Sequence, residues 1–513
     1  MGSPITTRLP HVASFWDNAV CKLPNATACI FEGREYSFAQ AEPIIARTAG
    51  YLREECGIGR GDRVAIAMPN CGAYLMAYWA VLRLGAVVVP ANIKLGGPEL
   101  AYVMENSDPS AVFVHEQVAE AVEAALGDAG ISPSVIHIAA GVEEAPAVTQ
   151  SGVEPVEKAV PDLQTDDLAI ILYTSGTTGR PKGAMMRHRD LLFNVRNAIL
   201  AHSFRHEDIH LLVIPYFAPT ATYSLLPSCA YLASPVVVAP RPHPKPLFDL
   251  ISRYRCTTFI GVPTMFNMII NDAEFAEADL SSLRLLAYSG SPMPTGTIQA
   301  LQERLPEVSL HNFFGLTETI SMTHVLPGKD ALDKSGSIGI ALPEVHTRIV
   351  DEDDEPVPAD TTGELCFRRD VIIPGYWRQE GRLEKSIRDG WFHTGDLAWE
   401  DEDGYCCIQG RKKDMIIVAG NNVYALEVEK VLLRHTGIRD AAVVGVEATG
   451  ARAPLGELVK AVVVTQPDTE LSEMDVKRHC SEELPSYKMP QMVQFMDELP
   501  RNAAGKVLKE KLK

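Results

Sequence analysis

Residues Thr174-Ser175-Gly176-Thr177-Thr178-Gly179-Arg180-Pro181-Lys182-Gly183 place hydroxyls, glycines and two cations in one short stretch. Small residues let backbone N–H groups close around an anion, and the hydroxyls and Lys182 add donors. The chemistry this supports is the holding of a polyphosphate. The usual P-loop pattern, Gly-x-x-x-x-Gly-Lys-Ser/Thr, cannot be placed on it. A plain surface turn draws on the same residue types. An apolar run, Leu168 to Tyr173, leads in as a buried strand, and a helical pattern with Leu191, Leu192, Val195, Ala198 and Ile199 on one face follows.

Other stretches could carry chemistry. Tyr288-Ser289-Gly290-Ser291-Pro292 ends a strand with small residues, against which a flat ring can lie. Asn312-Phe313-Phe314-Gly315-Leu316-Thr317-Glu318 sets a hydroxyl beside a carboxylate. Thr317 can donate to a phosphate and Glu318 can supply a hard oxygen to magnesium. Further on come Trp391-Phe392-His393-Thr394-Gly395-Asp396, Gly410-Arg411-Lys412-Lys413-Asp414, Gly420-Asn421-Asn422-Val423-Tyr424 with Glu427 and Glu429, and Pro500-Arg501-Asn502-Ala503-Ala504-Gly505-Lys506.

In this order the stretches resemble the motifs of the adenylate-forming superfamily: acyl-CoA synthetases, peptide-synthetase adenylation domains and luciferases. The likeness runs over nearly the whole chain and is strongest to acyl-CoA synthetases. It implies an ATP site of Thr174, Ser175, Gly176, Thr177, Thr178, Gly179, Lys182, Gly290, Ser291, Pro292, Asn312, Phe313, Phe314, Gly315, Thr317, Asp396 and Arg411. Asp396 would accept from the ribose hydroxyls, Glu318 would meet Mg2+, and Thr317, Glu318 and Lys506 would be catalytic. Gly420 and Asn421 would border the CoA passage, and Lys413 would be the hinge. Phe314 stands where the family usually has Tyr, and Ala425 where it usually has Pro. The side chain of Lys412 is expected to be merely solvated.

The implied reaction converts a carboxylate, ATP and CoA to acyl-CoA, AMP and pyrophosphate. Phe217, Ala218, Ala221, Thr222, Val262, Tyr288 and Leu316 are the expected acyl pocket, which holds no Arg or Lys. This favours a monocarboxylic acid that is short or medium, branched, alicyclic or aryl. Ala218 stands where many acyl-CoA synthetases have His and amino-acid-activating members often have Asp. The alternatives are loading of a carrier protein, luciferase-like oxidation, a carnitine-like or long-chain acyl-CoA ligase, or a silent nucleotide-binding scaffold. Retention of Lys182, Glu318, Asp396, Arg411 and Lys506 argues against the last.

The 513 residues exceed one ordinary core, and the composition is globular, 46% hydrophobic and 22% charged. A net charge of −19 argues against a general nucleic-acid binder. Ten cysteines lie without a Cys-x-x-Cys, which points to a reducing, cytoplasmic setting. The expected partners are a small carboxylic acid and CoA, with no nucleic acid and no transmembrane segment, and with a homodimer allowed. The apolar stretch Gly72 to Ala91, broken by Arg83 and Pro90, reads as a helix and then a buried strand.

The elements that must position these residues read as α/β. Ala28–Phe38 is a hairpin turning near Gly33. Strand patterns at Arg63–Met68, Ala86–Val89, Ala111–Val114, Leu211–Ile214, Val236–Val238, Thr258–Gly261 and Leu283–Ala287 alternate with helical ones. About Ala139 to Asp167 is loop-rich. Ser337 to Ile408 reads as a small antiparallel β subdomain. Helices at Tyr424–Arg434 and Ser472–Leu484, with strands at Ala441–Val446, Val459–Val464 and Met492–Phe495, make an α+β unit. The expectation is a large N-terminal domain of layered βα subdomains over 1–410, with the small β subdomain, and a small mobile α+β domain over 411–513.

Overall fold

The computed structural model describes residues 11–160, 162–174, 180–320, 322–467, 469–501 and 507–513. These form two compact units. The first runs to His346 and resumes over Arg368–Gly390; the second holds Thr347–Phe367 and Trp391–Lys513. The class is α/β with a smaller α+β part, as the sequence patterns require.

Two sheets make the first unit. In the larger, the strands Thr27–Phe31, Val236–Val238, His210–Leu212, Thr258–Gly261, Leu285–Tyr288 and Ser309–Phe314 lie parallel in that spatial order. Antiparallel strands close both edges: Arg34–Ser37 on one side, then His324–Leu326 and Ile340–Ala341 on the other. In register, Gly261 pairs with Tyr288 and Tyr288 with Asn312. The segments that follow these three residues therefore leave the sheet at one carboxyl edge, where open α/β sheets bind ligands. That alignment brings Val262, Ser289–Pro292 and Gly315–Glu318 to the same edge.

The second sheet has the order Ser134–Ile138, Ala111–His115, Arg63–Ala67, Val87–Pro90, Leu168–Thr174 and Lys182–Arg187. Its last pair is antiparallel, so the expected strand-to-helix passage is in fact a hairpin before the helix His188–His202. The stretch from Gly72 is a helix, Gly72–Arg83, buried along its whole length, followed by the strand Val87–Pro90. Arg83 ends that helix only 2% exposed, with its guanidinium on Glu42, Asp17 and the Val156 carbonyl. A buried charge needs such partners. No helix among the described residues is long and apolar enough to cross a membrane.

In the second unit, Thr347–Val350 pairs antiparallel with Gly363–Arg368, and Trp391–Glu400 with Cys406–Arg411. A hairpin, Met415–Val418 with Asn421–Tyr424, precedes a three-stranded sheet of Ile438–Glu447, Glu457–Thr465 and Met492–Phe495. Along the middle strand Val459, Ala461 and Val463 face one buried cluster, with the helices Ala425–Leu432 and Glu473–Glu483. Val462 and Val464 face another, with Leu499 and Leu512. Period-two alternation with both faces covered explains why these strands read as continuous valine runs. Compactness groups the small antiparallel strands with the C-terminal residues, so the second unit begins before residue 411 and takes in Thr347–Phe367 and Trp391–Gly410.

Candidate active site

Register pairs Thr174 with Lys182, which pins both ends of the glycine-rich loop. Ser175, Gly176, Thr177, Thr178 and Gly179 lie outside the described residues. Gly183 is required by a close approach: a Cβ there would sit 2.8 Å from Ile171 Cγ2 and 3.0 Å from Tyr173 Cζ. Lys182 leaves the strand with its Nζ 5.0 Å from the centre of the Tyr376 ring. Burial pushes its ammonium below the ordinary value, nearby Arg382 adds to that, and Glu318 offsets part of it.

Glu318 comes from the turn after the strand Ser309–Phe314. Thr319 stitches that turn, its Oγ1 accepting from the Leu316 N–H at 2.9 Å. The Tyr376 hydroxyl donates to Glu318 Oε1 at 2.6 Å, and the Ile373 N–H donates to the Glu318 carbonyl at 2.9 Å. Burial, then the Glu318 charge, pushes the phenol well up, so Tyr376 stays a donor. The structure thus brings Lys182 and Glu318 together and adds Tyr376, which sequence reasoning missed. Its one signal was Gly375-Tyr376-Trp377, an aromatic pair behind a glycine in a stretch without regular periodicity. One half-exposed carboxylate beside a cation suits a magnesium ion that arrives with phosphate, since magnesium keeps few protein ligands.

At the same sheet edge Tyr288 ends its strand, and Gly290, with φ +90°, turns the chain toward Ser291 and Pro292. Asn312 donates its amide to the Ser337 carbonyl at 2.9 Å. Phe313 lies in the core, edge-on to His202 at 5.2 Å, while Phe314 sits 6.1 Å from the His324 ring; Gly315 is exposed. Of the acyl-pocket residues, Phe217, Ala218, Val262 and Leu316 are half-buried, whereas Ala221, Thr222 and Tyr288 are fully buried. Thr222 spends its hydroxyl on the Tyr216 carbonyl, and its own carbonyl accepts from the Tyr78 hydroxyl at 3.1 Å. Thr220–Leu225 is a π-helical turn, a widening that recurs at functional sites.

In the second unit Asp396 and Arg411 face each other across a strand pair, Arg411 Nε lying 2.7 Å from Asp396 Oδ1. Arg411 Nη1 also donates to the Thr394 carbonyl at 3.1 Å, and the Asp396 N–H to Thr394 Oγ1 at 2.9 Å. Glu364, a second residue the sequence did not single out, accepts from the Gly395 N–H at 3.0 Å and from Lys412 Nζ at 3.2 Å. Burial alone would raise its carboxyl; the Gly395 amide and Lys412 hold it below its ordinary value. Lys412 is exposed, as expected, but its ammonium is also paired with a buried carboxylate, which an i-to-i+1 lysine run does not reveal. Asp396, Gly410, Arg411, Asp414, Tyr424, Glu429 and Lys509 border a cavity of about 200 Å³ within this unit.

Gly420 follows Ala419 in a two-residue turn with φ +80° and +50°, the geometry of a twisted hairpin. Space around Gly420 is open. Asn421 donates to the Val418 carbonyl at 3.3 Å. Lys413 is exposed within the short helical turn Lys412–Asp414. Lys506 lies outside the described residues. The residues flanking it are tied down: Arg501 bridges Val507, the Leu508 N–H donates to the Pro500 carbonyl at 2.8 Å, and Lys509 Nζ lies 2.7 Å from Glu429 Oε1.

A mostly parallel nine-stranded sheet with a Thr-Glu turn at its carboxyl edge, a six-stranded sheet whose last hairpin carries the glycine-rich stretch, and an Asp–Arg pair in the second unit suit a nucleotide-handling α/β protein. AMP-binding enzymes match residues 16–377, and the AMP-binding enzyme C-terminal domain matches residues 427–506. The chain belongs to the AMP-binding enzyme family. It is 32% identical to a long-chain-fatty-acid–CoA ligase of Escherichia coli O6:H1 over 99% of this chain and 94% of that one. It is 33% identical to a feruloyl-CoA synthase of Amycolatopsis sp, over 95% of each. Among solved structures, o-succinylbenzoate CoA synthetase from Bacillus subtilis, in complex with its acyl-adenylate intermediate, superposes with a TM-score of 0.88 at 26% identity, over 98% of this chain and 99% of that one.

Proposed function

We propose that the chain is an AMP-forming acid–CoA ligase. The observation that supports this reading most is the grouping of Lys182 with Glu318 around Tyr376 at the pinned loop. A carboxylate is a poor electrophile because oxide is a poor leaving group. Its oxygen attacks the α-phosphorus of ATP, the bond to the bridging oxygen breaks, and pyrophosphate leaves. The CoA thiol then loses its proton and attacks the acyl carbon, and AMP departs with the oxygen that joined them.

Both steps crowd anions. Lys182 and the loop hydroxyls receive the departing phosphates, Glu318 would hold magnesium, and Thr317 donates to phosphate. Magnesium, when bound, neutralises charge on the phosphates. Asp396 and Arg411 hold the ribose, and Lys506 meets the carboxylate and α-phosphate oxygens. Gly420 and Asn421 serve the thiol step, so one C-terminal domain, residues 411–513, must supply different groups to the two half-reactions. Rotation about Lys413 supplies them in turn. Lys413→Pro restricts φ there and should spare adenylation while stalling thioester formation; equal, small effects of Lys413→Pro and Lys413→Ala would remove the hinge.

The substrate we infer is an apolar monocarboxylic acid: Phe217, Ala218, Ala221, Val262 and Leu316 offer it no cation. The feruloyl-CoA synthase relative supports an aryl acid of this kind. Free thiols at all ten cysteines fit the cytoplasm, where ATP and CoA are supplied. A panel of aliphatic, branched, alicyclic and aryl acids, assayed for CoA-dependent AMP formation, tests the reading. Activity with an apolar monoacid is expected. AMP release that needs an amino acid or a carrier protein, and none with CoA, would overturn it.

A further inference from the structure

Tyr376 touches both charged members of the phosphate side and belongs to neither motif. Its ring is held by the strand that carries Lys182. The Trp377 N–H donates to the Gly183 carbonyl at 2.8 Å, the Met185 N–H to the Gly375 carbonyl at 3.1 Å, and Ala184 bridges Tyr376 itself. From the other side the Ile373 N–H grips the Glu318 carbonyl at 2.9 Å. Main-chain bonds therefore fix where the ring lies relative to both residues. The ring is 6% exposed and its hydroxyl donates to Glu318 Oε1 at 2.6 Å, while its face lies 5.0 Å from Lys182 Nζ.

We propose that Tyr376 is the positioning residue of this site, its hydroxyl setting the direction of the Glu318 carboxylate and its face setting the reach of Lys182. The inference rests on the reading that Glu318 meets magnesium. One Glu318 oxygen is committed to the phenol, so the other is the one presented to a metal. A free carboxylate would sample several rotamers, and each metal-binding event would have to select one. The ring contact is a cation–π interaction, which favours an ammonium poised over the face. One side chain thus aligns the acid that holds the metal and the cation that receives pyrophosphate. The two contacts use different parts of Tyr376 and can be separated by substitution.

The test compares Tyr376→Phe, Tyr376→Leu, Glu318→Gln and the double variant Glu318→Gln/Tyr376→Phe in the full-length chain. The readouts are the magnesium concentration for half-maximal adenylation at fixed ATP, the pyrophosphate affinity in the reverse reaction, and the thermal melt. Tyr376→Phe should raise the magnesium requirement on the order of tenfold, the loss expected for a hydrogen bond to a charged group, and added magnesium should restore its rate. Tyr376→Leu should also weaken pyrophosphate binding. In the Glu318→Gln background Tyr376→Phe should add nothing, because the two act as one unit. A purely structural tyrosine would move the melt and leave the magnesium requirement alone.

A shifted Glu318→Gln with an unshifted Tyr376→Phe would overturn the positioning role while leaving the metal assignment standing. An unshifted Glu318→Gln would overturn both. Glu318→Asp, which shortens the carboxylate away from an intact phenol, covers the case in which Tyr376→Phe does not fold. It should show the same magnesium shift, and an unchanged requirement would count against the proposal.

Discussion

Lys182 and Glu318 sit half-exposed at the edge of a sheet, whereas His202, His210 and His311 lie inside the same unit with almost no exposure. His202 Nδ1 and His311 Nδ1 are 3.2 Å apart, so one ring donates and the other accepts. His311 Nε2 reaches Ser309 Oγ at 2.9 Å; His210 reaches Thr258 Oγ1 at 2.7 Å and Ser234 Oγ at 3.2 Å. Burial drives His210 and His311 down to about 4 and His202 well below its ordinary value, with Arg284 reinforcing the effect on all three. By residue type the histidines look the more catalytic cluster. By state they are the opposite: neutral, bonded to one another and to hydroxyls, and closed to any ligand. The proposed site keeps its charges half-exposed, while the core admits these histidines neutral.

Glu318→Gln and Lys182→Ala should affect catalysis and leave stability nearly untouched. Each should cost adenylation on the order of 10²-fold, the scale of losing one preorganised electrostatic group, with a nearly unchanged urea midpoint. A large stability loss without a rate loss would make this cluster structural too. His202→Leu should do the reverse. It orphans His311 Nδ1, so it should cost about 1–3 kcal/mol of stability, read from urea unfolding, with turnover kept while the chain stays folded. A rate loss at full folding would bring the histidines into the site.

Stability should also depend on pH. Unfolded histidine takes a proton near 6.5, but folded His210 and His311 do so only near 4. Between these values the unfolded state binds more protons, so stability rises with pH. The contribution of the pair is full above about 6.5 and is lost as pH falls toward about 4. Urea midpoints across that window should decline, and His311→Leu should flatten the decline. A flat wild-type profile would mean that the rings accept protons in place.

The sequence carried unequal amounts of this. Val236–Val238 and Thr258–Gly261 were legible because a strand buried on both faces is an unbroken apolar run. Ser309–Phe314 was not, because His311 and Asn312 interrupt the run with groups that only tertiary partners satisfy. Lys182–Arg187 was read past because a lysine, a glycine and two methionines carry little strand preference. The motif residues were legible by their order along the chain. Tyr376 and Glu364 were not, since each acts through a contact 58 or 31 residues away, on Glu318 and Gly395 respectively, and no local pattern encodes such a pairing.

In the proposed reaction a carboxylate oxygen attacks the α-phosphorus of ATP and leaves with AMP. Carboxylic acid labelled with ¹⁸O in both oxygens, turned over once with unlabelled ATP and CoA, tests it directly by mass spectrometry of the products. Each AMP should carry one ¹⁸O, the acyl-CoA should keep the other, and pyrophosphate should carry none. AMP without label, or label in pyrophosphate, would contradict an acyl-adenylate in this protein.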